Sequence, residues 1–200
     1  MVSIVDELWK EEPKATEVKG LAFFVGLRNS ADPADWGYSV SLLSKVYQTF
    51  HKAMMQTLSP CPYPTVLSVF PEGIQVVMEI DSVDKIRASV RHFPDFFAQA
   101  EEINRKIDSR FALKLGIGAD WGTMVKMKYA DQSSPVYLGA PATNAYRHFS
   151  VSSKSYPLPK GGKLFIKEIV LGKDLCVKLG SGFKNLPNLL FGQDFARTDL

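Results

Sequence analysis

Residues 20–31, GLAFFVGLRNSA, constrain this chain more than any other stretch, because an unbroken apolar run over 21–25 turns polar at Gly26, Arg28, Asn29 and Ser30. Apolar residues at successive positions read as a central strand buried on both faces, and the abrupt polar break reads as a loop delivered to a site at its end. Everything after it is expected to pair with this strand, cover it, or face the loop that follows.

The pattern downstream supplies the partners. Residues 36–58 read as a helix with Val40, Leu43, Val46, Tyr47, Phe50 and Met54 recurring at steps of three and four, ended by Pro60, Pro62 and Pro64. Residues 65–70 (TVLSVF) and 74–80 (IQVVMEI) read as a hairpin with Pro71, Glu72 and Gly73 in its turn. Ser82 and Asp84 mark the start of a helix whose apolar stripe runs through Val83, Ile86, Val90, Phe93, Phe97, Ala100, Ile103 and Ile107, interrupted at Pro94. A strand over 111–118, a turn at Asp120, Trp121 and Gly122, and a half-exposed strand over 123–129 follow. A short strand at 136–138, a helix over 143–149 entered through 139–142, and a last strand over 164–170 complete the order.

The expected fold class is α+β, a βαββαβ ferredoxin-like core with a mostly antiparallel sheet and helices on one face. With 200 residues, 46% of them hydrophobic, one domain suffices, taken as 20–184, with an N-terminal arm over 1–19 anchored by Trp9 and a tail over 185–200. No leader-like apolar segment and no run near the roughly 20 residues that span a bilayer is evident, so the expected location is cytoplasmic, without a membrane or nucleic-acid partner. Cys61 and Cys176 form neither a metal pair nor a disulfide framework. The net charge of +3 is spread thinly. His51, His92 and His148 lack metal-ligand spacing, and phosphate-loop, Ser-His-Asp and nucleophile-elbow signatures are absent.

Four segments in order carry a family resemblance. FFVGLRNSA, VFPEGIQVVME, LGIGADWGTMVKMKY and VYLGAPATNAYRH resemble the motif segments of class III nucleotidyl cyclases, covering about residues 21–170. The resemblance implies a dimer with sites at its interface. One subunit would hold Mg²⁺ or Mn²⁺ on two aspartates, and its partner would supply an asparagine, an arginine and a Lys–Asp pair that reads a purine.

Matched residue by residue, the first metal aspartate falls on Gly26 and the second on Glu72. The purine-reading lysine falls on Ser68 and its acidic companion on Ala140. The ribose asparagine falls on Thr143, or on Asn144 if the register shifts by one, and the arginine on Arg147. Arg28, Asn29 and Ser30 fall on the phosphate-cradling loop. Asp120 is read as structural, and Lys126 and Lys128 as a solvated face.

Losing one of two metal carboxylates removes several kcal/mol of transition-state stabilisation, about a thousandfold in rate. The leading expectation is therefore a dimeric pseudo-cyclase that binds a nucleoside triphosphate, a cyclic nucleotide or a partner protein. Its rivals are an active divergent cyclase, with pyrimidine nucleotides as in bacterial antiviral signalling among its candidate substrates and Glu72 as main metal ligand, and the half of a heterodimer that contributes only Arg147.

Overall fold

The computed structural model describes residues 15–29, 39–59, 63, 65–108, 112–128, 134–152, 155–157, 163–165, 168–180 and 189–191. Expectations for Trp9, Ser30, Trp36 and Cys61 fall outside them.

Strand β1, Ala15–Leu27, is the axis of the sheet. It starts earlier than the apolar run because its polar first residues still pair: Ala15 lies opposite Met127 and Leu27 opposite Leu115 of β4, the long strand Leu115–Met127. Its other edge pairs antiparallel with β3, Gly73–Met78, which in turn pairs with β2, Thr65–Phe70. Beyond β4 lie β8, Ile169–Leu171, and β9, Leu189–Phe191, joined in parallel, while β5, Val136–Leu138, pairs with the far end of β4. The sheet is mixed and mostly antiparallel. A separate pair, β6 (Ser155–Pro157) and β7 (Lys163–Phe165), forms a small second sheet.

Helix α1, Val40–Leu58, α2, Val83–Arg91, α3, Phe93–Asn104, and α5, Lys173–Leu179, bury their apolar residues on the face of β1 that carries Leu21, Phe23, Val25 and Leu27. Phe23 packs at 5.1 Å from Phe93 and 6.0 Å from Phe96, ring to ring. Helix α4, Ala140–Val151, lies on the opposite face, where Ala142 and Ala145 meet Ala22, Val77 and Met124. The α+β class therefore holds, with α4 added on the face away from the other helices.

Five details differ from the sequence expectation. Residues 120–122 are not a turn but the middle of β4, since Asp120, Trp121 and Gly122 pair with Ala22, Leu21 and Gly20. Gly73 is not in the hairpin turn either. It opens β3 opposite Phe70, and a Cβ there would come within 2.3 Å of the Val25 carbonyl oxygen. The expected last strand is two elements in different sheets, β7 and β8. Pro94 resets the helical phase at the start of α3, so Phe96 enters the core and Phe97 only packs against it. Val40, expected in the apolar stripe of α1, is 84% exposed.

What places α4 is a row of glycines on β4. A Cβ on Gly118 would lie 2.0 Å from the Phe149 nitrogen and 2.2 Å from the Ala145 carbonyl oxygen, and one on Gly116 would lie 2.2 Å from Ser152 Oγ. The helix backbone rests directly on the strand backbone at Gly118, a close approach that only glycine permits. Entry to α4 is made by Gly139 at φ +146°, in the region other residues avoid. Gly118→Ala is expected to destabilise the chain by about 3 kcal/mol, because the obstructing atoms are backbone. Gly122→Ala, whose Cβ meets Pro141 Cγ at 3.1 Å, is expected to change stability by less than about 1 kcal/mol. Urea midpoints of the two variants check this, and equal losses would show that α4 is not seated on the strand at Gly118.

Candidate functional site

Where β1 ends, the β2–β3 turn, α1 and α4 border an open cavity of about 850 Å³. Arg28 comes from the end of β1, Glu72 from the hairpin turn, Tyr47 and His51 from α1, and Tyr146, Phe149 and Ser150 from α4. Two of the sequence-derived candidates, Arg28 and Glu72, are thus brought together. Tyr47, His51, Tyr146 and Phe149 were not anticipated there. Their signal was the spacing of Tyr47 and His51 one turn apart on one helix edge, with the aromatic pair of YRHF on another helix.

The wall behind Arg28 is aromatic. Phe24 lies 4.6 Å from Phe149 and 5.1 Å from Tyr146, the latter edge-on, and 5.7 Å from Phe70. The Arg28 guanidinium carbon stands 5.0 Å from the Phe149 ring centroid, within cation–π range. Tyr146 donates its hydroxyl hydrogen to Glu72 Oε1 at 3.2 Å. Burial, with the Glu72 charge adding to it, raises the pKa of both Tyr47 and Tyr146, although Arg28 partly opposes the rise at Tyr146. Both phenols therefore stay protonated at neutral pH. His51 Nε2 donates to the Phe70 carbonyl at 3.0 Å and ties α1 to the hairpin.

Gly26 lies between Gly73 and Gly116. A Cβ there would come within 2.7 Å of the Glu72 carbonyl oxygen, 2.7 Å of the Phe24 ring and 3.0 Å of the Phe149 ring. Among the described residues, Glu72 is the single carboxylate lining the cavity. No group of three or more His, Cys, Asp or Glu side chains that could hold a metal ion exists among the described residues. Mg²⁺ requires near-octahedral oxygen coordination, and the described side chains of this cavity supply one carboxylate toward it.

The other candidates are dispersed. Thr143 and Arg147, one turn apart on α4 and exposed, line a second cavity of about 670 Å³ with Gln75 and Tyr137. Gln75 Nε2 donates to the Ala142 carbonyl at 2.8 Å, fixing α4 to β3. Asn29 is committed to backbone: its Nδ2 donates to Ala112 O at 2.9 Å and its Oδ1 accepts from Lys114 N at 3.0 Å. Ser68 is exposed on β2 opposite Gln75, and Ala140 is exposed at the start of α4. Neither lines the two cavities.

Lys126, expected on a solvated face, instead pairs with Glu79 Oε1 at 2.6 Å, and the Tyr137 hydroxyl donates to the same oxygen. Burial works to raise the Glu79 pKa, but the hydrogen bonds from Lys126 and Tyr137 more than offset it and hold it below the usual range.

Asn144 is turned inward, where its Nδ2 donates to Asp120 Oδ2 at 2.8 Å. Asp120 is 5% exposed and also accepts from its neighbour's backbone, Trp121 N, at 2.9 Å and from the Leu175 N–H in the first turn of α5. A Cβ on Gly172 would strike its carboxylate at 2.1 Å, so that glycine makes room for it. Burial raises the Asp120 pKa, and the Asn144 and backbone donors only partly counter it.

The folded chain then holds a proton on Asp120 over a range where the unfolded chain has released it. Stability should fall as pH rises from about 4, the ordinary aspartate value, to the raised value, and level off above it. Asp120→Asn, neutral throughout, is expected to remove that descending segment from a plot of urea midpoint against pH. An unchanged slope would assign the dependence to other groups.

The sequence matches no protein-family model and has no significant match among curated proteins. Its fold does have counterparts among solved structures. The guanylyl cyclase Cya2 is similar at a TM-score of 0.64 and 15% identity, over 85% of this chain and 81% of that one. A bacterial light-regulated adenylyl cyclase is similar at 0.62 and 12%, over 84% and 46%. A class III adenylyl cyclase-like ATP-binding protein from Pseudomonas aeruginosa is similar at 0.63 and 15%, over 83% and 35%. This chain therefore spans less than half the length of the last two. At such identities the likeness establishes the fold, that of class III cyclase domains.

Proposed function

We propose that this chain is a cyclase-fold domain that binds a nucleotide in the cavity between Arg28 and Glu72 without ordinary cyclase turnover. The observation that carries this reading is the crowding at Gly26, where a side chain would meet Glu72 backbone and the Phe24 and Phe149 rings. By the sequence resemblance to class III cyclases, that position corresponds to the first metal aspartate. The remaining carboxylate, Glu72, is engaged by Tyr146. A cavity of about 850 Å³ has the volume of an ordinary small-molecule site. The Pseudomonas aeruginosa protein of the same fold, described as cyclase-like and ATP-binding, supports nucleotide binding as a use of this architecture.

A second reading is favoured by the position of Thr143 and Arg147. They are exposed and line a cavity whose lining includes neither Arg28 nor Glu72. That separation suits a dimer, of two copies or with a cyclase-like partner, in which each cavity faces a complementary one. Arginine's planar fork suits phosphoryl oxygens there.

The decisive experiment incubates purified protein with each common nucleoside triphosphate and Mn²⁺ or Mg²⁺. Cyclic product is followed by mass spectrometry and thermal stability is measured in parallel. The expected result is no product and a stabilisation of about 2.7 kcal/mol at nucleotide one hundredfold above Kd. For a chain of this length that corresponds to a rise of about 5–10 °C in Tm. Product that vanishes in Glu72→Ala would overturn the reading in favour of an active, metal-dependent cyclase.

A further inference from the structure

The charges that line the larger cavity nearly cancel. Among the described residues Arg28 is its one arginine or lysine and Glu72 its one acid, and the other polar lining groups include the hydroxyls of Tyr47, Tyr146, Ser44 and Ser150. A divalent cation placed there would face a guanidinium and a single carboxylate, with no room at Gly26 for a second. We propose that the cavity takes the phosphate end of a nucleotide without a divalent metal, with the Arg28 guanidinium supplying the positive charge. This rests on the nucleotide-binding reading and names how that site holds its ligand.

The seat of Arg28 is built for a fixed charge. Its backbone N–H donates to the Lys114 carbonyl at 2.7 Å, anchoring the residue at the end of β1. Its side-chain stem crosses Gly116, where an added Cβ would lie 2.8 Å from Arg28 Cδ and 3.0 Å from Cγ. Its head then stacks over Phe149 at the cavity wall. Glycine below and phenylalanine beside it restrict the side chain, so less conformational entropy is lost when it meets an anion. A guanidinium has five N–H donors and can serve an internal partner and a phosphate together. The phenols of Tyr47 and Tyr146, protonated at neutral pH, line the same cavity, and Tyr146 would donate to a phosphate oxygen by releasing Glu72.

The assignment has a consequence of opposite sign from metal-dependent binding. If a metal bridged the phosphate to the protein, Glu72 would be its ligand, and Glu72→Gln would weaken binding. If Arg28 holds the phosphate directly, Glu72 is a like charge beside it, and its removal strengthens binding.

Isothermal titration calorimetry with ATP, GTP, CTP and UTP, in EDTA and then in Mg²⁺, tests this on the full chain. The expected result is binding of at least one nucleotide in EDTA, with Kd within about threefold of that in Mg²⁺. Arg28→Gln should weaken it by about tenfold or more, Arg28→Lys should retain much of it, and Glu72→Gln should tighten it about threefold or more. Thermal melts of each variant separate loss of fold from loss of binding.

Binding that requires Mg²⁺ and weakens in Glu72→Gln would overturn metal-free recognition while leaving nucleotide binding intact. Binding in EDTA that a folded Arg28→Gln leaves unchanged would overturn the role of Arg28. No binding by the folded wild-type chain in either condition would overturn the nucleotide-binding reading and this inference together.

Discussion

The arrangement of this molecule depends on backbone-to-backbone contact between α4 and the β4 glycines. Helices usually lie about 10 Å from a sheet because side chains intervene, but at Gly118 nothing intervenes, and the Phe149 nitrogen and Ala145 carbonyl sit where a Cβ would be. That contact fixes the height of α4, and through it the positions of the side chains α4 sends to both cavities. Gly139, at positive φ, fixes the direction from which the helix arrives. The small residues of the second core cluster, Ala22, Ala142 and Ala145, extend the same close approach. The face is thin by composition, and the thinness is what brings Phe149 down onto Phe24.

The electrostatic character of the larger cavity follows from that descent. Once Phe149 rests on Phe24 at 4.6 Å, the space above Gly26 is closed to any side chain, and a carboxylate cannot be added there without displacing an aromatic ring. Among the described residues the lining is left with one positive and one negative residue around neutral hydroxyls. Such a cavity attracts a multivalent cation weakly, because a single carboxylate offers few of the oxygens a hard ion demands. It suits a ligand that brings acceptor oxygens of its own. Packing and ligand preference are here one fact described at two scales.

The sequence was readable where the information was periodic or local. The apolar run of β1, the helix through Phe50 and Met54, and the hairpin between β2 and β3 each follow from spacing over a few residues. It was misleading where turn-forming residues serve long-range packing. Asp120 and Gly122 look like a turn, yet Asp120 is buried to receive Asn144 and the backbone, and Gly122 lies under Pro141. Gly73 likewise serves a tight strand crossing and not the turn beside it. Within the site, Arg28 and Glu72 stood out through the resemblance of their segments to those of class III cyclases. Tyr47 and Phe149 did not, because an aromatic in an apolar stripe reads as core until the facing residues are known. Asn29 and Asn144 fell on nucleotide-binding positions of that resemblance, Asn29 through its backbone, and only the folded chain reveals that both side-chain amides are bonded to internal partners.

Tyr146 and Ser150 line both cavities, which makes α4 a shared wall. A wall can transmit an effect by moving as a body or by turning single side chains. Body movement is opposed here, since lifting α4 would break the backbone contact at Gly118 and sliding it would drive Ala145 or Phe149 into the strand. The remaining freedom lies in side chains, above all Tyr146, which is 44% exposed and bonded to Glu72. A ligand that took the Tyr146 hydroxyl from Glu72 would alter the surface next to Arg147 without shifting the helix. The side chains that both cavities share, Tyr146 and Ser150, thus stand on a helix whose height over the sheet is set by glycine.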